Sequence, residues 1–435
     1  NAGNTADSVN VSGATYVAYL FAHDAQDFGT DSDESIIKCG SYTGDGTSDH
    51  SIEVGFEPQW LLIKNTSLAR DWVLSDSMRG LNLNQDYILR PNTSGIESNW
   101  AVAEVTSTGF RLTDGDDKWN TNGDNFIYVA IRRPHKPAEE FAATDLFAVD
   151  NGDGSSVPRW SSGFPVDMAF ERGTTFSDSM RWASRLTGKA YLQSTSTAAE
   201  VLNNNYTFDW QDGWYEFAGA SNDYSWMFRR APGFFDVVAY TGTSVSGRTV
   251  THNLNAVPEL MLVKCRSDAT NWAVYDKVSG GTKFMVLNSA DAASVGSNRW
   301  NDTDPTDSVF TVGDSSHVNS SGRTYIAYLF ATVPGISKVG SYSGSGSDVN
   351  VDCGFTSGAR FVFIKKTNAT GHWYLWDAER GITAGADPHL QLNSTNAQQS
   401  GVAIDINPYS SGFSVPSGDA AVNTSGNTYM FLAIA

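Results

Sequence analysis

The stretch "GATYVAYLFA", residues 13–22, returns as "GRTYIAYLFA" at 322–331 and, more altered, as "GNTYMFLAIA" at 426–435. In each, a glycine and a polar residue lead into a run of aromatic and aliphatic residues, the composition of a buried β-strand. The second and third runs close long stretches of chain. The first has almost nothing in front of it, and residues 1–24 align with 311–334, so 1–24 reads as the C-terminal end of a truncated repeat. A strand this apolar, left without its sheet, presents an unpaired edge. Tyr16 to Ala22 is therefore expected to be buried, and paired with upstream chain, a neighbouring repeat or another subunit.

Working outward, the chain lies on itself with a period of about 100 residues. "GSYTGDG" at 40–46 matches "GSYSGSG" at 340–346 and "VAYTGTS" at 238–244. Apolar strands follow: "PQWLLIK" ending at Lys64, "PELMLVK" at Lys264 and "ARFVFIK" at Lys365. Then "DWVLSD", "NWAVYD" and "HWYLWD" place Asp76, Asp276 and Asp377 twelve residues beyond those lysines. Residues 145–232 read as a decayed copy, with "FPVDMAFE" at 164–171 for the apolar strand and "FSDSMR" at 176–181 echoing "LSDSMR" at 74–79. On this alignment Glu171 takes the place of the lysine. Matches at 38 and 338, 42 and 342, and 72 and 373 add a longer period of about 300. The resulting division is 1–24, a linker at 25–36, a B-type repeat at 37–134, a divergent repeat at 145–232, an A-type repeat at 236–334 and a second B-type repeat at 337–435.

Within 37–134 the expected strands are 37–43, 50–56, 59–65, 71–76, 86–90, 100–112 and 125–133, separated by turn clusters such as "TGDGTS" and "PNTSG". Short strands at this density predict an all-β protein of tandem antiparallel β-sandwich repeats. "WLLIK" and "YVAYLFA" are apolar on both faces, so both faces are expected to be covered.

The 435 residues suit two to four domains with independent cores. The net charge of -19 repels phosphates and anionic lipid, which argues against nucleic acid and membrane insertion. Only 18% of residues are charged while 40 are glycine and 12% aromatic, a balance that suits a turn-rich β protein and not a disordered one. Cys39, Cys265 and Cys353 stand at different places in the repeats and form no disulfide framework.

The phrases "YTGxG", the lysine-ended apolar strand, "[DN]W" and "TY[IV]AYLFA" resemble a repeated β-rich domain of large virion proteins of marine bacteriophages. The resemblance covers 1–134 and 235–435 well, and 145–232 only through the echoes above. It implies a virion structural protein, a fibre, spike or decoration element used in host attachment. Such a protein is made in the bacterial cytoplasm and is extracellular on the mature particle. Its expected partners are other virion proteins, further copies of itself as a trimer that covers the orphan strand, and a host surface glycan. A glycan-binding lectin and, less favoured, a glycan-degrading tailspike enzyme are the alternatives. The family carries no established catalytic residues, and no enzyme activity or cofactor is expected.

For a glycan, the candidate residues are Asp71 and Trp72, Asn271 and Trp272, and His372 and Trp373. A sugar stacks its apolar face on an indole and needs oriented polar groups beside it. The competing reading makes each tryptophan, like Trp182 and Trp376, a filler of the core. Lys64 with Asp76, Lys264 with Asp276 and Lys365 with Asp377 suggest cross-strand ion pairs. The acidic stretches at 31–34, 114–117, 150–154 and 301–307 invite calcium, but twelve positions counted from Asp150 end at Ser161, where a calcium loop needs a bidentate glutamate, and the stretches read as solvated loops with no metal. The "N-x-[ST]" sites at Asn65, Asn92, Asn319, Asn368 and Asn423 read as turns.

Overall fold

One topology occurs four times along the chain. The structure, a computed structural model, describes residues 11–23, 35–81, 86–152, 154, 156–215, 222–400 and 404–435. The acidic stretch at 31–34 and most of the expected linker lie outside the described residues. In each unit the last strand lies between the first and the third, and the fourth continues the sheet. The second strand pairs separately with the strand that follows the long loops. In unit 1 the main sheet runs Ile37–Thr43, Asn125–Arg132, Pro58–Asn65, Val73–Asp76, while His50–Glu53 pairs with Gly109–Leu112. Unit 3 repeats this with Phe235–Thr241, Thr324–Phe330, Leu260–Cys265 and Ala273–Asp276, and unit 4 with Ser337–Ser343, Thr428–Ile434, Phe361–Lys366 and Trp373–Asp377. Unit 2, the decayed copy, has the same order: Phe147–Asn151, Asp223–Phe228, Met168–Gly173, Arg181–Ser184. The fold is all-β with antiparallel pairing throughout. The expected strand at 100–112 is two strands, Ala103–Val105 and Gly109–Leu112, folded on each other.

The recurring phrases have a local reason. The tyrosine of "Y-[TS]-G" stacks on the first aromatic of the last strand, Tyr240 on Tyr325 at 5.3 Å and Tyr342 on Tyr429 at 5.1 Å. Its hydroxyl donates to a main-chain carbonyl, that of Val318 (2.8 Å) or Val422 (2.6 Å). The glycine that follows must lack a side chain: a Cβ on Gly242 would lie 2.1 Å from the carbonyl oxygen of Ser320, and one on Gly344 2.3 Å from that of Thr424. Buried Asn319 and Asn423 pin the same turn by accepting from the amides of Thr243 (2.8 Å) and Ser345 (2.9 Å). A motif near the start of a unit and one at its end thus recur together because they touch.

The register of unit 2 corrects two expectations. Met168 pairs with Ser184, where Leu260 pairs with Asp276 and Phe361 with Asp377. Counting from these pairs, Arg172 stands at the position of Lys64, Lys264 and Lys365, and Glu171 does not. Met180 stands at the tryptophan position, so "FSDSMR" leads into its strand, which starts at Arg181, whereas "LSDSMR" begins inside its strand and runs out past Asp76.

The expectation of independent cores is also corrected. Units 2, 3 and 4 each have an inner core between sheet and second layer, but the outer faces of their main sheets merge into one larger core. Phe147 and Phe228 from unit 2, Phe330 from unit 3 and Phe361 from unit 4 meet there, with ring centroids 4.9 to 6.1 Å apart along the chain of contacts. This is why the strands are apolar on both faces: one face serves the unit and the other serves its neighbours.

The orphan strand fares differently. In unit 3 its equivalent, Thr324–Phe330, is hydrogen-bonded on both edges and buried. Residues 13–22 form no strand, and Val17 and Leu20 are 80% and 92% exposed. The expectation of burial fails because, among the described residues, nothing takes the place of the first and third strands of a unit.

Candidate functional site

The candidate site is the set of seams between units 2, 3 and 4, where most of the residues singled out from the sequence converge. At each seam a loop of one unit lies against the third and fourth strands of the next. The amide of Thr270 donates to the carbonyl of Thr197 (2.9 Å), and that of Glu200 to Arg266 (2.8 Å). Between units 4 and 3 the same pair is Gly371 to Ala290 (2.9 Å) and Ala293 to Thr367 (2.8 Å). Between units 2 and 4 it is Asp178 to Thr395 (3.0 Å) and Gln398 to Thr174 (2.9 Å). The receiving residues stand two beyond the cation and two before the tryptophan position in every case. Unit 3 takes the loop of unit 2, unit 4 that of unit 3, and unit 2 that of unit 4. Three repeats therefore close into a ring with approximate threefold symmetry inside one chain.

The lysines and Arg172 are the clasps of this ring. Lys264 donates to the carbonyl of Thr197 (3.1 Å), Lys365 to those of Ala290 (2.9 Å) and Gly371 (2.6 Å), and Arg172 to those of Gln391 (3.1 Å), Ser394 (3.0 Å) and Asn396. The expected lysine–aspartate ion pairs are not formed. Antiparallel pairing sets Lys365 opposite Trp373 and Asp377 opposite Phe361, at the far end of the hairpin. Asp377 instead binds Arg380 (2.6 Å) and accepts from the indole of Trp226 (2.9 Å).

The tryptophans hold the same seams. Trp272 and Trp373 have no exposed surface. Their indole N–H groups donate to the carbonyls of Gln193 (2.9 Å) and of Ser289 (3.1 Å) in the neighbouring unit. Neither ring offers a face to a sugar, so the stacking role assigned to them gives way to packing. Trp182 stacks on Phe170 at 4.4 Å in the shared core, and Trp376 lies in the inner core of unit 4. The polar residue before each tryptophan holds an asparagine of its own unit's loop: Asp71 with Asn92 (2.8 Å), Asn271 with Asn288 (2.8 Å) and His372 with Asn393 (3.3 Å). That asparagine accepts from the tryptophan's amide and so shapes the loop passed to the next unit. Trp72, in unit 1, is only half-buried.

Burial of the clasps has a titration consequence. Removal from water lowers the Lys264 and Lys365 ammonium groups to about 8 from 10.5, and Arg172 to about 10 from 12.5. With the folded value below the unfolded one, the unfolded chain binds more protons above pH 8, so stability rises with pH there. Between pH 8 and 9 each lysine is expected to add about 1 kcal/mol. Urea midpoints across that interval check it: the rise should vanish in Lys264→Met/Lys365→Met, and an unchanged rise would show that the lysines are not its source.

A second set of buried charges joins unit 1 to the ring. Arg230 makes a two-armed pair with Glu57 (2.6 and 2.5 Å) and binds Asp236 (2.8 Å), which Arg133 also approaches (3.4 Å). Burial alone would raise the Asp236 carboxyl, but the charges of Arg230 and Arg133 override it and hold the group below its ordinary value. Beside this junction a cleft between units 1 and 2 is lined by Arg79, Tyr87, Glu97 and Lys189. Arg79 is engaged by Asp76 and by Glu97 (2.9 Å), and Lys189 lies over the ring of Tyr87 at 4.6 Å.

The acidic loops serve structure. Asp114 accepts from the indole of Trp119 (2.7 Å), Asp117 pairs with Arg70 (2.7 Å), and Asp304 accepts from the amide of Gly281 (2.7 Å). Among the described residues no group of three or more His, Cys, Asp or Glu is arranged to hold a metal, and no helix is long and apolar enough to cross a membrane.

No curated protein matches the chain. A family model described as a domain of unknown function matches residues 2–134 and 227–435. It passes over most of unit 2, whose topology nevertheless equals that of the matched units. By that match, over most of its length, the chain belongs to the DUF7483 family, a domain of unknown function.

Proposed function

We propose that this chain is a structural component of a bacteriophage particle, a fibre, spike or decoration element exposed on the virion and used in attachment to the host surface. The closed ring of three repeats carries the reading. A particle component must keep its shape outside the cell, and here the three cysteines are free while neighbouring repeats are locked by paired backbone bonds and buried cations. The recurring lysines and tryptophans of units 3 and 4 are spent on that assembly, which favours a building block over an enzyme. The resemblance of the repeat phrases to marine phage virion repeats points the same way, and makes other virion proteins the first partners. A glycan receptor, on this reading, meets side chains outside the seams, because Trp272 and Trp373 are sealed.

Electron microscopy of purified particles labelled with an antibody to this chain tests the proposal. Label at a regular position on the particle is the expected result. Particles that stay unlabelled while the protein is abundant in the lysate would overturn it. Binding of the purified protein to host cells, abolished by stripping their surface glycans, would identify the receptor class.

A further inference from the structure

Among the described residues, unit 1 has the outer sheet face of a ring member without a ring around it. Cys39, Trp60, Leu62 and Ile127 stand where unit 4 has Val339, Phe361, Phe363 and Met430, by their shared strand pairings. The four in unit 4 are at most 3% exposed and belong to the shared core. In unit 1, Ile127 is 42% exposed and the other three are half-buried. The seam is open as well. Lys64 donates to the carbonyl of Arg70 in its own unit, as Lys365 does to Gly371, but among the described residues it has no counterpart of the second bond that Lys365 makes to Ala290 of the neighbour. Among the described residues no neighbouring loop lies against Thr66 and Arg70, the positions of Thr367 and Gly371. The loop that unit 1 would pass on is also at the surface: Ser94 and Glu97, at the positions of Ala290 and Ala293, are exposed, and Ile96 between them is 92% exposed.

We propose that this face closes a second ring of three with the unit 1 faces of two further copies of the chain, giving a threefold homotrimer. The argument is the chain's own symmetry. Each unit carries both halves of the contact, a receiving edge and a loop to pass on, so one kind of unit suffices to build the ring. A head-to-tail contact of this kind closes or runs on as a filament according to its rotation. Units 2, 3 and 4 differ in sequence and still close at three, so the rotation belongs to the repeat. In the homotrimer Lys64 keeps Arg70 and adds the Ser94 carbonyl of the next copy, as Lys365 holds Gly371 and Ala290 together, and Cys39, the one free cysteine that is not buried, becomes covered. This assembly does not depend on the phage reading.

Sedimentation of the whole chain is the test, with maleimide labelling of Cys39 as the second readout. The expected result is a species of three chain masses at micromolar concentration, with Cys39 protected. Leu62→Asp/Ile127→Asp should sediment as a monomer with Cys39 reactive, and with the thermal transition of the ring retained. Should that variant misfold, Glu97→Pro removes the equivalent amide donor on an exposed loop and should give the same monomer. A wild-type chain that stays monomeric or dimeric, or a trimer that survives both variants, overturns the proposal. So does a trimer in which Cys39 reacts as fast as in the monomer.

Discussion

Replacing Trp373 with alanine is expected to destabilise the chain by about 3–5 kcal/mol, the cost of deleting a fully buried indole and leaving its cavity. The indole sits in the core shared by three units and donates to carbonyls of unit 3 at 3.1 and 3.2 Å. Its loss therefore reaches beyond the unit that carries it. Calorimetry should show one transition for the ring, shifted as a whole to lower temperature in Trp373→Ala. Trp373→Phe, which keeps most of the volume but loses the donor, should cost about 1–3 kcal/mol, since the Val286 and Ser289 carbonyls both lose the indole, Val286 keeping the amide of Ser289. Separate transitions for units 2, 3 and 4, with only that of unit 4 moved, would mean that the outer faces do not form one cooperative core.

The second large effect is expected at the junction of unit 1 with the ring. Asp236→Ala removes a carboxylate bonded to the Arg230 guanidinium and leaves Glu57 to serve both Arg230 and Arg133, in a site where Asp236 is 1% exposed. Breaking a buried ion pair from one side costs about 3–5 kcal/mol, mostly as uncompensated charge. Adding Arg230→Met to Asp236→Ala should then recover part of the loss, an interaction a double-mutant cycle reads directly. Strictly additive losses would show that the two side chains do not act as a pair. The linkage has a definite sign. The folded carboxyl of Asp236 is held below its unfolded value, so its contribution is fully present above about pH 4 and is lost as pH falls through the folded value. The acid limb of wild-type stability should be correspondingly shallower in Asp236→Ala.

Strands, turns and repeats were legible in the sequence because each is fixed locally. "Y-T-G" marks a turn whose glycine cannot carry a Cβ, and lysine-ended runs such as "PQWLLIK" have the composition of a buried strand wherever they occur. The two-faced apolarity of "WLLIK" and "YVAYLFA" predicted two covered faces, which holds for the equivalent "YIAYLFA" inside the ring and fails for residues 16–22, where Val17 and Leu20 are exposed. What the face would be covered by was not legible. A phenylalanine pointing outward at position 361 reads the same whether it meets solvent-side side chains or Phe147 of another repeat. The decayed unit shows the same limit. The similarity of "FSDSMR" to "LSDSMR" suggested one register, and the pairing of Met168 with Ser184 set another, placing Arg172 and not Glu171 among the clasps. Register is chosen by the sum of contacts across a whole sheet, since a slip of one residue turns every side chain to the opposite face. The tryptophans after Asn271 and His372 were equally ambiguous, because an indole suits both a sugar and a core. Their burial was decided by loops from other units, at a distance in the chain that no local pattern spans. The sequence alone thus determined an all-β chain of repeats with lysines and tryptophans at fixed places. The tertiary structure decided that those places are seams, because only the closure of three repeats brings each of them against its partner.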